Sequence, residues 1–310
     1  MRLRSGAPLL GALGVLALAV MVLGGLALDG LSRSHHPAPA PPAAPPAGET
    51  LAIHFLDVGQ GDATLIEAPG GRWVLIDAGP GAGVVDELRR LGVDTLALFI
   101  ASHNHADHIG GAVAVVEAFP VRFFMDNGVP HTTLTYRRML EALAAADIPL
   151  LEPERRTVSL GEVALEILPP PGDPELGHND NSIGVRIVWG EFAALLAGDA
   201  EEQLWQHWLS TRRELLAPIQ VMKSSHHGSR NGDIPAALRR LRPRLVVISA
   251  GGDNRYGHPH PQALQRYAAV GARVLVTAEH GRITVLAGSD GSFEIRTTGT
   301  LLHDHAPAHP

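Results

Sequence analysis

Apolar and polar positions divide the chain into three stretches of different character. Residues 8–28 run 21 positions without a charge behind a cationic start, Met1-Arg-Leu-Arg. As a helix rising 1.5 Å per residue this stretch is about 31 Å long, enough to cross the hydrocarbon core of a bilayer. Residues 35–48 (HHPAPAPPAAPPAG) cannot bury a core and read as an extended spacer, with His35 and His36 as idle linker residues. From Leu51 onward, short apolar runs are punctuated by Gly, Pro and Asp and interleaved with amphipathic stretches. LAIHFLDVG, ATLIEAP and WVLIDAG predict strands, the last two joined by a Gly70-Gly71 hairpin turn. VVDELRRLG, AVAVVEAF and residues 133–146 (TLTYRRMLEALAAA) predict helices, and VRFFMDN a strand between the last two. TVSLG, VALEILPP, SIGVRIVWG and FAALLAGD continue as strands, and the acidic helix AEEQLWQHWLSTRRELL follows. Strands at 219–225 and 245–249, a helix ending at Val270, and closing strands in VLVTAEHGRITVLAG and SFEIRTT complete the pattern. The chain therefore divides into a signal-anchor or signal peptide (1–28), a Pro/Ala-rich linker (29–49), one α/β domain (50–300) and a disordered tail (301–310).

Arg2 and Arg4 place the N-terminus in the cytoplasm by the positive-inside rule, so the domain is expected outside it. Gly25-Leu26-Ala27 offers a small-x-small cleavage site, but the apolar run is longer than a cleaved signal needs. An uncleaved membrane anchor is the reading this favours, with a secreted protein as the alternative.

Chemistry concentrates directly behind one apolar run. In ALFIASHNHADHIGG, His103, His105, Asp107 and His108 fall within six positions between a predicted strand and a helix start. Side chains two apart in an extended loop point the same way, so His103 and His105 can grip one ion while Asp107 and His108 face a second. Imidazole with carboxylate suits zinc or a similar first-row ion. Two ions roughly 3.5–4 Å apart would clamp the attacking and leaving oxygens of a displacement.

Other candidates also follow strands. Asp77 closes one run. Asp199 closes another, with Glu202 three residues on, which in outline is a helix-capping box. His226 and His227 form a pair at a strand end, suited to a metal ligand beside a phosphate-binding partner, and Lys223 lies on the same strand. His258 and His260 stand in a loop stiffened by prolines, which suits positioning of substrate or leaving group. The glycines of residues 79–83 lack the GxGxxG register, because Val85 stands where close helix packing needs Gly or Ala. Gly59-Gln60-Gly61-Asp62 reads by pattern as a turn.

Composition narrows the chemistry. There is no cysteine, which removes disulfides, thiol nucleophiles and thiolate ligands together. It also excludes bacterial lipoprotein processing. A net charge of −7 provides no global basic field for nucleic acid, although local arginine clusters remain available for phosphate contacts.

HNHADH matches the HxHxDH motif, and the chain resembles the metallo-β-lactamase superfamily over about residues 51–286, most closely the hydrolase-like domain of the ComEC type found in DNA-uptake channel proteins. FLDVGQGDATLI, LLAGDAE, HHGS, NRYGHPHP and the NDNS within GHNDNSIGV all look like that type of domain. The resemblance implies a four-layered αββα sandwich, here preceded by one hydrophobic helix, with two divalent metals at one edge, zinc first and manganese second. It implies that Asp77 supports the metal loop, that Asp199 bridges both ions, and that one of His226 and His227 is a ligand. The third-motif His is displaced: His178 stands four residues before Ser182, with Asp180 or Asn181 as substitutes. The implied metal residues are therefore His103, His105, Asp107, His108, His178, Asp199, and His226 or His227. A hydroxide bridging the ions would attack, oriented by Asp107, with His227, His258 or His260 steadying oxygens or the leaving group. The expectation is an exported phosphodiesterase or nuclease without the channel, with a phosphodiester such as DNA as substrate. The alternatives are a carboxylic ester, lactone or β-lactam hydrolase, and a non-catalytic surface protein binding DNA or metal.

Overall fold

The structure is a computed structural model that describes residues 50–299. The expected hydrophobic helix at 8–28, the spacer with His35 and His36, and the tail at 301–310 lie outside the described residues. Among the described residues no helix is long and apolar enough to cross a membrane.

The chain begins as an antiparallel meander, β1 (Leu51–Phe55), β2 (Thr64–Ala68) and β3 (Arg72–Ile76). Pro69-Gly70-Gly71 closes this hairpin between the paired Ala68 and Arg72, with the Gly71 N–H donating to the Ala68 carbonyl (3.0 Å) and both glycines at positive φ. Helix α1 (Gly83–Arg90) returns the chain to β4 (Leu96–Ile100), which pairs parallel with β3. The short α2 (Ala106–Ile109) and α3 (Ala112–Ala118) lead to β5 (Phe124–Met125), and α4 (Leu134–Ala145) to β6 (Leu150–Leu151). The chain then builds a second sheet from β7 (Thr157–Leu160), β8 (Val163–Leu168), β9 (Gly184–Trp189) and β10 (Phe192–Leu196), all antiparallel. Helix α5 (Glu202–Thr211), β11 (Val221–Lys223), α6 (Pro235–Leu241), β12 (Leu245–Ile248), α7 (Pro261–Ala269) and β13 (Arg273–Val276) extend that sheet with parallel strands. After α8 (Thr277–His280), β14 (Ile283–Ala287) and β15 (Phe293–Thr297) rejoin the first sheet beside β1. The sheets hold eight and seven strands, ordered β15-β14-β1-β2-β3-β4-β5-β6 and β13-β12-β11-β10-β9-β8-β7.

Strand alternation fixes the layers. On β10, Phe192, Ala194 and Leu196 join the core between the sheets, whereas Ala193 and Leu195 join a second core with Leu204, Trp205 and Trp208 of α5. On β3, Val74 and Ile76 face between the sheets, while Trp73 and Leu75 pack with Val84 and Leu88 of α1 and Val115 of α3. Helices thus cover the outer face of each sheet, an αββα sandwich. Strands buried on both faces read as continuous apolar runs rather than alternation.

One detail differs from the sequence expectation and another adds to it. The strand predicted in VRFFMDN contracts to Phe124–Met125, with Val121 left as an isolated bridge to Leu96; at its far end Asp126 and Asn127 accept from the N–H groups of Gly128 and Val129 (3.0 and 3.1 Å) and stop the strand. In VLVTAEHGRITVLAG the closing strands are separated by a short helix that ends at His280. The two strands belong to opposite sheets, and the crossing is made by α8 with Gly281 at φ +64°.

Candidate metal centre

Parallel pairing of β3 with β4, and of β11 with β10 and β12, delivers the loops after these strands to one edge of the sandwich. Asp77, the segment 102–108, Asp199, the segment 224–229 and Ser249 all follow those strands.

Asp77 closes β3 with φ +59°, a strained value for a non-glycine residue. Its carboxylate accepts from the Ser102 N–H (2.7 Å) and hydroxyl (2.8 Å) and lies 2.8 Å from His108 Nδ1. This fixes the ring so that His108 Nε2 points 3.2 Å from Asp199 Oδ1. His103 is fully buried, with Nε2 3.8 Å from Asp199 Oδ2 and 3.0 Å from His105 Nδ1. His227 has Nδ1 3.0 Å from the Ser249 carbonyl, leaving Nε2 3.2 Å from Asp107 Oδ2 and 3.6 Å from Asp199 Oδ2.

Among the described residues two groups of side chains have the geometry to hold an ion: His103, His105 and Asp199, and Asp62, His108, Asp199 and His227. In each, the ligand atoms lie within 4.8 Å of one another. Asp199 belongs to both. His108 Nε2, His227 Nε2 and Asp199 Oδ1 are buried without a hydrogen-bond partner, an arrangement that costs free energy unless a cation meets them; Asp62 Oδ1 also lacks a hydrogen-bond partner but lies 3.4 Å from His227 Nδ1. The nitrogen and oxygen donors therefore fit divalent first-row ions.

The remaining predicted residues sit around these groups. Asp107 is half-buried and faces His227. His226 turns aside, with Nδ1 2.8 Å from Glu201 Oε1 and Nε2 3.9 Å from Asp199 Oδ2. His226, His227 and Gly228 all have positive φ, and a Cβ at Gly228 would meet Pro259 at 2.8 Å. His178 joins neither group; its ring lies 5.5 Å from that of His105 and 4.1 Å from that of His131. His258 stacks 6.1 Å from His227, and Asn254 clasps its backbone, accepting the N–H at 2.8 Å and donating to the carbonyl at 2.7 Å. His260 is outside the groups, with its ring nitrogens 3.1 Å from Arg230 N and 3.0 Å from Arg230 Nη2. Asp180 and Asn181 have structural partners: Asp180 Oδ1 accepts from the N–H groups of Glu201 and Leu204, and Asn181 ties down the 173–177 loop.

Sequence reasoning gave no role to Asp62, His131 or Glu201. Asp62 sat inside a recognised motif but looked like turn chemistry. The usable signal was an acid in a Gly-rich turn between strands of one sheet, opposite the only lysine of the chain.

The protonation pattern is that of a cluster built for cations. Burial alone would lower His108 and His227, but Asp199, with Asp77 for His108 and Asp62 for His227, outweighs it. His108 is held well above the usual histidine range and His227 is pushed up to about 10. Burial would raise Asp199, but His108 and His227 hold it well below the carboxylate range. Burial, reinforced by His108, keeps His103 neutral. His258 is pushed down to about 4 by burial and by His227 and His226.

This fold and site define a metallo-hydrolase architecture, and the match of residues 56–252 to the metallo-beta-lactamase superfamily shows that the chain belongs to that family. Within it, the chain is 27% identical over 253 residues to ComE operon protein 3 of Bacillus subtilis, covering 74% of this chain and 32% of that protein. It is 28% identical over 244 residues to Recombination protein 2 of Haemophilus influenzae, covering 76% and 29%, and 28% identical over 254 residues to Competence protein ComA of Neisseria gonorrhoeae, covering 81% and 34%. The chain thus spans about a third of the length of these relatives and corresponds to a ComEC-type domain. Among solved structures, CmlA, a diiron β-hydroxylase from Streptomyces venezuelae, aligns with a TM-score of 0.51 at 16% identity, over 77% of this chain and 55% of that one. That similarity is one of fold.

Proposed function

We propose that this protein is a metal-dependent phosphodiesterase acting on nucleic acid outside the cytoplasm. The observation that carries the reading is Asp199 shared between two ligand groups, one with His103 and His105 and one with His108 and His227. Two divalent ions, zinc foremost, would supply Lewis acidity and water whose pKa is lowered to about 7. Asp107, exposed enough to meet solvent and 3.2 Å from His227 Nε2, would accept a hydrogen bond from that water and orient it. His258, neutral at pH 7, serves as a hydrogen-bond partner to substrate oxygen rather than as a proton reservoir. The names of the relatives, competence and recombination proteins, support a nucleic-acid substrate. The apolar run of residues 8–28 supports a membrane anchor with the domain exported.

Fold alone does not choose among hydrolases, since one fold hosts many chemistries. The test is a substrate panel with metal-stripped protein reloaded with zinc or manganese. EDTA-sensitive turnover of bis-p-nitrophenyl phosphate and single-stranded DNA is expected. Turnover confined to a chromogenic cephalosporin or lactones would replace this reading with ester or lactam hydrolysis. Fewer than one ion per chain without hydrolysis would indicate a binding protein.

A further inference from the structure

The Gly59-Gln60-Gly61-Asp62 loop is more than a turn between β1 and β2. The Asp62 N–H donates to the Asp107 carbonyl (3.1 Å), and the Asp62 carbonyl accepts from the Gly79 N–H (2.7 Å). Gly61 has φ +151°, and a Cβ there would stand 2.3 Å from the Asp107 carbonyl, so only glycine lets the loop press onto the metal-ligand segment. Gln60 Oε1 accepts from the Gly251 N–H (3.2 Å) in the loop that follows β12 of the other sheet. The loop therefore braces both sheets at the edge where the ligands emerge.

Its carboxylate lies beneath the second ligand group. Asp62 Oδ2 is ion-paired with Lys223 Nζ, both side chains 2% exposed, and Lys223 also donates to the Gly198 carbonyl (3.2 Å) next to Asp199. Asp62 Oδ1 is left 3.4 Å from His227 Nδ1, on the side of the ring away from Asp107 and Asp199. The Ser249 carbonyl, 3.0 Å from the same Nδ1, sets the tautomer, and a carboxylate beside it reinforces the aim of the ring electrostatically, as Asp77 does for His108 by a direct bond. Lys223 cancels the charge of that carboxylate, which unpaired would be costly at this depth.

We propose that Asp62 and Lys223 form a positioning pair for the second metal position: Lys223 anchors Asp62, and Asp62 directs His227 Nε2 at the ion without ligating it. This rests on the two-metal reading and deepens it. The test is calorimetric titration of the metal-stripped full-length protein with Zn²⁺ alone, with thermal melting in parallel. Wild type should bind two ions; a single ion would defeat the two-metal reading itself and the proposal with it.

With two ions in wild type, Asp62→Asn is expected to weaken the second by 10–100-fold and leave the first unchanged. Because this variant buries an unpaired Lys223, the double variant Asp62→Asn/Lys223→Met is the decisive one. It should regain the melting temperature lost by Asp62→Asn while retaining the weak second site. Second-ion affinity within twofold of wild type in the double variant would overturn the proposal. Complete loss of the second ion in a folded double variant would also overturn it, by making Asp62 a ligand.

Discussion

Asp180 caps helix α5 and thereby releases Asp199. Asp180 Oδ1 accepts from the N–H groups of Glu201 (2.9 Å), the N-cap position, and Leu204 (3.0 Å), the third residue of the helix, where a capping side chain would bond. The side chain of Asp199 takes no part in that helix end; it lies 2% exposed among His103, His108 and His227. The two aspartates, 19 residues apart in sequence, have thus separated tasks that spacing alone would assign to one.

Asp180→Ala should therefore cost about 0.5–2 kcal/mol of stability, as loss of a cap does, while the protein still binds two ions. Asp199→Asn should have the opposite profile. It removes the charge common to both ligand groups, so metal occupancy should fall towards one and hydrolysis by several orders of magnitude, with the fold retained. Melting curves and metal analysis on both variants check this. Two ions and full activity in Asp199→Asn would refute the bridging role.

Protons occupy the cluster when metal does not, and this fixes the pH behaviour of the stripped protein. His227 is raised in the fold to about 10, from an unfolded value near 6.5. Its contribution to stability is therefore complete below about pH 6.5 and lost as pH climbs towards 10. Asp199 is depressed, so its contribution is present above about pH 4 and lost on acidification below that. Melting temperature in EDTA should peak between about pH 4 and 6.5 and fall on the alkaline side. Zinc must displace these protons, so its uptake should release protons and tighten as pH rises, read as a buffer-dependent binding enthalpy. A binding enthalpy independent of buffer would contradict it.

How far the sequence could be read depended on separation along the chain. His103 to His108 were legible because one strand-to-helix segment presents all four side chains within six positions. The apolar runs were legible as strands because both faces of β3 and β10 are buried. Relationships across the two sheets were not. Asp62 and Lys223 are 161 residues apart and meet only because β1 and β11 end at the same edge. The placement of His178 against His105 and His131, rather than in a ligand group, depends on how the 173–181 loop folds, which no periodicity encodes. At the end of β5, Asp126 and Asn127 bond to the backbone two residues on, and so stop the strand at Met125.

Among the described residues the three cores of the sandwich begin at Leu51, and the Pro/Ala-rich stretch of residues 35–48 is of a composition that cannot bury a core. A protein beginning at Thr50 should accordingly be soluble, melt cooperatively and bind the same number of ions as the full chain. Aggregation of this fragment under metal-replete conditions would show that the preceding residues contribute to the fold.

The last prediction separates His226 from His227, which the sequence presents as equivalent. His227 is 2% exposed, is oriented from behind by the Ser249 carbonyl, and has Nε2 among Asp107 and Asp199. His226 faces Glu201, and its nearest approach to Asp199 is 3.9 Å. Both residues have positive φ, a region asparagine tolerates better than most side chains, so His→Asn changes the ligand with little added backbone strain. His227→Asn should lose the second ion and most activity. His226→Asn should keep both ions and lose only what the Glu201 contact contributes, about 1 kcal/mol or less for a partly exposed pair. Zinc titration of the two variants side by side checks the assignment, and loss of the second ion from His226→Asn but not from His227→Asn would reverse it.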